Sequence, residues 1–283
     1  MTTVRNEPIA PLDAPLLLGR YQPQVLLAKG GSSLVYRGLD QTLGREIAIK
    51  VFSAGVDLER YEGELRLLAS LSHHGVVSIV DAGIDHSAPT DPRPFLVMEL
   101  IRGKTIRTTL KQRSLSVREV GEIGYEVAEA LDYVHSQGVI HRDVSPANIM
   151  LTDYGTISSR PRARLTDFGI AIDVAYAPAP GEAITGTVAY LSPEQVRNVP
   201  LGPETDIYAL GLVMLECFTD TVAFPGAHIP SALARLDTDP VISKDIPKDW
   251  RRLIGRMTQQ EPLERPTAAE VADEVRRILR KMR

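Results

Sequence analysis

The chain has 283 residues, 43% of them hydrophobic and 24% charged, with a net charge of −4. This is an ordinary globular mixture, long enough for one large domain or two lobes, and its acidic balance argues against a nucleic-acid partner. The single cysteine, Cys217, excludes an intrachain disulfide framework and favours a reducing, cytoplasmic setting.

Residues 1–19 hold three prolines and little periodicity, and read as a loose N-terminal arm. Residues 21–52 are strand-like. Within them, residues 46–52 alternate with period two, which puts Ile47, Ile49 and Val51 on one face and Ala48 and Lys50 on the other. A small residue beside a lysine suits a nucleotide: alanine leaves room for a base and lysine reaches phosphates. Residues 58–71 read as a helix with Leu65, Leu68 and Leu71 at helical spacing, the proline-rich residues 87–94 as a surface loop, and residues 95–100 as a strand. Ser116-Val117-Arg118-Glu119 is a capping box opening a helix with Val120, Ile123, Val127, Leu131 and Val134 on one face, stopped by Gly138. Residues 156–164 read as a basic, solvated hairpin insertion. Cys217 sits in an apolar run and reads as a buried residue. Thr267-Ala268-Ala269-Glu270 is a second capping box, with Val271, Val275 and Ile278 buried behind it. Strands first and helices later predict a small sheet-rich lobe and a larger helical one. No stretch reaches the roughly 18 apolar residues of a membrane-spanning helix. The basic end, residues 276–283, has two readings: the solvated face of a last helix, or a juxtamembrane stretch with a membrane attachment beyond residue 283.

The chemistry is concentrated in His141-Arg142-Asp143-Val144-Ser145-Pro146-Ala147-Asn148 and Asp167-Phe168-Gly169. A carboxylate, a carboxamide five residues on and a second carboxylate 24 residues on are the polar parts needed around a metal-bound nucleoside triphosphate. This set resembles the catalytic and metal-binding loops of the eukaryotic-like (Hanks-type) bacterial Ser/Thr protein kinases, and the resemblance runs in order over residues 21–282.

The resemblance implies an α+β, bilobal protein-kinase fold: a β-rich N-lobe with one main helix over residues 20–99, then a hinge and α-helical C-lobe over 100–283. It implies an ATP- and Mg2+-dependent enzyme, with Mn2+ as a substitute, that phosphorylates protein Ser/Thr hydroxyls. Asp143 would take the acceptor's proton, and Asn148 and Asp167 would hold the metal. Leu27, Ala28, Lys29, Gly30, Gly31, Ser32, Ser33 and Val35 would form the Gly-rich loop over the phosphates, with Ala28 and Ser33 where the family carries glycine. Lys50 matches the phosphate-contacting lysine and Glu64 its helix partner. Met98 resembles the gatekeeper, Glu99 and Ile101 would offer backbone groups to adenine, and Ala48, Val35 and Met150 would sandwich the ring. Thr187 matches the threonine that bonds the catalytic Asp and favours Ser/Thr acceptors. Residues 186–194 resemble the substrate-docking segment, with Glu194 expected to pair with Arg265, and residues 206–211 resemble the helix that anchors the catalytic loop.

Two positions depart from the family. Ser145 stands where these kinases carry a lysine, which predicts a slow enzyme or, as the alternative, a scaffold that binds ATP without transfer. Removing such a donor typically costs roughly 10²–10³ in rate. Between residues 170 and 186 the only hydroxyls are Tyr176 and Thr185, so loop phosphorylation is not expected to be the main switch, with Glu182 or a partner supplying the anion. Physiological substrates, dimerisation and any sensor domain are left open by the sequence.

Overall fold

A computed structural model describes residues 16–30, 33–53, 65, 67–86, 92–153, 160–168 and 188–282. The chain divides into two compact units: one comprises residues 1–70 and 78–101, the other 71–77 and 102–283.

The first unit is built on an antiparallel sheet. Its strands are β1 (Tyr21–Lys29), β2 (Ser33–Asp40), β3 (Arg45–Phe52), β4 (Ile79–Asp85) and β5 (Arg93–Glu99), in the spatial order β1-β2-β3-β5-β4. Residues directly opposite in an antiparallel ladder share a face, so the register sorts the side chains. Tyr36, Ile49 and Val97 are aligned across β2, β3 and β5. That face buries Tyr21, Ile47, Ile49, Phe95 and Val97 in one cluster with Leu17. Leu17 lies within the stretch read as a loose arm, yet it pairs with Tyr21 in an isolated bridge and is 5% exposed. Residues 1–15 lie outside the described residues. Strand β4 had no counterpart in the sequence reading, because Asp81, Gly83 and Asp85 are poor strand formers; pairing with β5 overrides that preference. Of the helix expected over residues 58–71, the described part is helical at residues 65 and 67–69, with Leu65, Leu68 and Leu71 buried.

The second unit is mainly helical: α1 (Ile106–Leu110), α2 (Val117–Ser136), α3 (Pro193–Val196), α4 (Glu204–Thr219), α5 (His228–Asp237), α6 (Lys248–Met257) and α7 (Ala268–Lys281). Both expected capping boxes form, at Ser116/Glu119 and Thr267/Glu270. Gly138 takes φ 74° just beyond α2, a left-handed conformation that glycine adopts without strain. α4 is buried almost all round, including Asp206 in its first turn, as befits a central helix. A small sheet of β6 (Gly103–Thr105), β7 (Ile149–Thr152) and β8 (Arg162–Leu165) accompanies the helices. Residues 156–164 were expected to be a solvated hairpin insertion; β7 and β8 do pair antiparallel, but the described end of the stretch is not solvated. Ala163 and Arg164 are buried, and the Arg164 guanidinium donates to the Val76 carbonyl at 2.8 Å.

Candidate active site

The loop between α2 and β7 carries the His-Arg-Asp run, and it is pinned from below by one buried carboxylate. Asp206 is fully buried. Its Oδ2 accepts from the His141 backbone N–H and from His135 Nε2, both at 2.8 Å, and its Oδ1 accepts from the Arg142 N–H at 2.8 Å. These bonds hold Arg142 at φ 66°, a left-handed conformation that disfavours any residue with a Cβ and costs on the order of 1–2 kcal/mol. Gln195 Nε2 adds a bond to the Arg142 carbonyl at 2.9 Å.

His141 ties this loop to the strand that leads into Asp167. Its Nδ1 accepts from the Asp143 N–H at 3.3 Å, which assigns the proton to Nε2, and Nε2 donates to the Thr166 carbonyl at 3.1 Å. The imidazole packs on Phe168 with ring centroids 4.6 Å apart. Asp167 is a second strained position, at φ 56°. Asn148 closes the constellation. Its Nδ2 donates to Asp143 Oδ2 at 2.7 Å and to the Asp143 carbonyl at 2.9 Å. Both amide hydrogens therefore face Asp143, and the carboxamide Oδ1 turns the other way. An amide oxygen and the Asp167 carboxylate are hard oxygen donors of the type magnesium selects. Ser145 is 1% exposed, and its carbonyl accepts from the Asn148 N–H at 3.0 Å.

Downstream, the expected buried pair forms. Arg265 grips Glu194 with two parallel bonds, 2.6 and 2.9 Å, and Thr205 Oγ1 donates to Glu194 Oε1 at 2.8 Å. Burial pushes the Glu194 carboxyl up, the Arg265 bonds and charge outweigh it, and the net direction is down. Ser192 N-caps α3 in a third capping box, with Gln195. The Ser-x-x-Gln signal for it is present in the sequence at Ser192-Pro193-Glu194-Gln195.

In the first unit, the ladder register gathers the expected nucleotide residues on one face. Ala28 lies opposite Val35, Val35 opposite Lys50, and Ala48 opposite Met98. This is the face away from the Tyr21–Phe95 cluster. Leu27, Ala28 and Lys29 end strand β1, and Ser33 opens β2. Gly30 donates to the Ser33 carbonyl at 2.8 Å. A Cβ on Gly30 would make only ordinary contact, at 3.4 Å, so the protein's own packing does not demand glycine at this exposed position. Lys50 is half-buried, its Nζ 5.3 Å from the Phe52 ring centroid. The Glu99 N–H donates to the Ser78 carbonyl at 3.0 Å. Ile101 is buried, and Met150 lies half-buried on β7 of the second unit.

Gly31, Ser32, Glu64, Thr187 and residues 169–186, with Tyr176, Glu182 and Thr185, lie outside the described residues. His135, Gln195 and Thr166 brace the site without having been anticipated. They act through tertiary contacts 25–71 residues apart in sequence, which no local spacing encodes.

The second unit thus carries a strained, cross-braced Asp143–Asn148 loop followed by Asp167, and the first unit an antiparallel sheet bearing Lys50. Residues 21–275 match the protein kinase domain family, and the chain belongs to that family. Its α+β organisation is accordingly the bilobal kinase fold. Bacterial serine/threonine-protein kinases are among its relatives. The chain is 36% identical over 267 residues to PknL of Mycobacterium bovis, covering 90% of this chain and 64% of that protein. It is 34% identical over 247 residues to PknA of Mycobacterium tuberculosis, covering 84% and 56%. It is 31% identical over 276 residues to the probable serine/threonine-protein kinase PknB of Bifidobacterium longum, covering 91% and 39%. The chain thus spans less than two thirds of the length of each of these relatives. Among the described residues, no helix is long and apolar enough to cross a membrane.

Proposed function

We propose that the chain transfers the γ-phosphoryl group of ATP, with Mg2+ or Mn2+, to Ser or Thr hydroxyls of protein substrates in a cytoplasmic signalling setting. The observation that supports this reading is the Asn148 clamp on Asp143, because it orients the carboxylate and turns the carboxamide Oδ1 away from it, free of that clamp to serve as a ligand to a cation. In this reading Asp143 accepts the proton of the attacking hydroxyl as its oxygen bonds to the γ-phosphorus and the bond from that phosphorus to the β,γ-bridging oxygen breaks. Asn148 and Asp167 hold the metal, which neutralises charge on the phosphates when bound. Lys50 steadies the α- and β-phosphates, Gly30 lets the backbone approach them, and Ala48, Val35, Met98 and Met150 flank the base. Glu64 orients Lys50, Thr187 bonds Asp143, and Ser145 supplies a hydroxyl in place of the family lysine. A homodimer and a membrane attachment beyond residue 283 are compatible additions that the reaction does not require.

The test is metal-dependent incorporation of γ-labelled phosphate from ATP into a basic acceptor protein, with Asp143→Asn as control. Incorporation on Ser or Thr, lost in the control, is expected. ATP binding with no incorporation by the unaltered chain would overturn the catalytic reading in favour of a scaffold.

A further inference from the structure

Arg235, near the end of α5, is a buried cation with 0% exposure. Among the described residues no carboxylate pairs with it. Oxygen dipoles and an aromatic face hold it instead. Its Nε donates to the Ala232 carbonyl at 3.2 Å and its Nη2 to the Ser231 carbonyl at 3.0 Å, both within its own helix. Its Nη1 reaches out of the helix to the Leu191 carbonyl. The Phe224 ring centroid lies 4.9 Å from Cζ, and the Ser231 hydroxyl fixes that neighbour by donating to the Phe224 carbonyl at 2.6 Å. Burial lowers the guanidinium pKa to about 10, so it stays charged at neutral pH.

A buried charge is a poor source of stability, since apolar residues of similar volume commonly do as well or better. What it supplies here is direction. Leu191 lies between the turn at Val188–Tyr190 and Ser192, the N-cap of α3. Behind Leu191 the chain is locked twice: Ser192 Oγ lies 2.6 Å from Thr205 Oγ1, and Glu194 is clamped by Arg265. Ahead of it lies the stretch assigned to the acceptor polypeptide. The Leu191 carbonyl is the last backbone group before the lock. Arg235 fixes the direction of that carbonyl, while Tyr190, just ahead of it, is tied by its own hydroxyl to Glu216. Gln260 steadies the far side by donating to the Arg235 carbonyl at 2.9 Å.

We propose that Arg235 is a positioning residue for the protein substrate, holding residues 188–191 through the Leu191 carbonyl in the conformation that docks the acceptor. The proposal rests on the kinase reading above and deepens it. The test uses Arg235→Met, which keeps bulk and removes the donors, and Arg235→Lys, which keeps the charge but not the fork. The loss of a charge-assisted bond predicts a rise of about tenfold or more in KM for the acceptor protein in the Met variant, and a smaller rise in the Lys variant. The KM for ATP and the slow hydrolysis of ATP by water stay within about twofold, because neither uses this segment. An unchanged acceptor KM overturns the proposal. So does a parallel loss of acceptor phosphorylation and ATP hydrolysis that tracks the folded fraction by calorimetry, which would mark Arg235 as structural only. If the Met variant does not fold, the Lys variant is judged by the same criteria. Absence of transfer in the unaltered chain overturns the kinase reading itself, a result separate from either variant's behaviour.

Discussion

Asp206→Asn is the sharpest perturbation of the catalytic loop. Asp206 accepts three bonds, from His141 N, Arg142 N and His135 Nε2. An asparagine keeps the shape but has one acceptor oxygen. The His135 ring can adapt by changing tautomer, and Oδ1 can keep Arg142, but then the buried His141 N–H faces another donor. Losing that charge-assisted bond and orphaning its donor costs about 1.5–3 kcal/mol. Arg142 at φ 66° adds about 1 kcal/mol of strain that Asp206 no longer fully restrains. Together these are about 3 kcal/mol, which is roughly 10²-fold in the population of the ordered loop. For a unit of this size the same energy lowers Tm by about 6–12 °C. The expected result is a kcat per folded molecule reduced about 10²-fold, with the Kd for ATP within about threefold, because the sheet bearing Lys50 is untouched. Steady-state phosphorylation, nucleotide titration and calorimetry on the same preparation separate these quantities. A fall in Tm with an unchanged kcat per folded molecule would refute the argument that Asp206 positions Asp143.

Leu17→Ala removes a side chain that is 5% exposed in the Tyr21–Phe95 cluster, and is expected to destabilise the first unit by about 2–5 kcal/mol in denaturant titration. A loss below about 0.5 kcal/mol would show that Leu17 belongs to the arm after all. The Glu194 carboxyl has a folded pKa below its ordinary 4.5, so its contribution is present above that pH and is lost as pH falls through the lower folded value. Acid unfolding of the wild-type chain is therefore steeper below about pH 4.5 than that of Glu194→Gln, which is less stable at neutral pH but lacks this titration; parallel acid limbs in the two proteins would contradict the pairing. Cys217 is buried and burial pushes its thiol up, so maleimide labelling is expected only on unfolding, with a rate that tracks denaturant concentration. Rapid labelling of the native chain would place the thiol outside the core.

Much of the site is legible in local sequence because its parts are covalently close. Asp143 and Asn148 are five residues apart, and a single tight loop brings the amide onto the carboxylate. The two capping boxes, the Val120–Val134 face and the Ala48/Lys50 face follow from periods of 3.6 and 2 that the backbone imposes on any sequence. The Glu194–Arg265 pair was legible only through resemblance, since 71 residues separate its members. Leu17 in the core, strand β4 with its aspartates, the buried Arg164 and the reach of Arg235 to Leu191 were not legible.

The sequence by itself determined the helix starts and the two faces of β3, because these depend on neighbours within a turn or a pleat. Tertiary structure alone decided how the candidate site residues are held. It placed Asp206 under His141 and Arg142, turned Asn148 onto Asp143, aligned Val35 with Lys50 and Ala48 with Met98 across the ladder, and buried an arginine where it grips a distant carbonyl. The physical reason is that a hydrogen bond or an ion pair is specified by distance and direction in space. A linear pattern constrains those only while the chain between the partners is short.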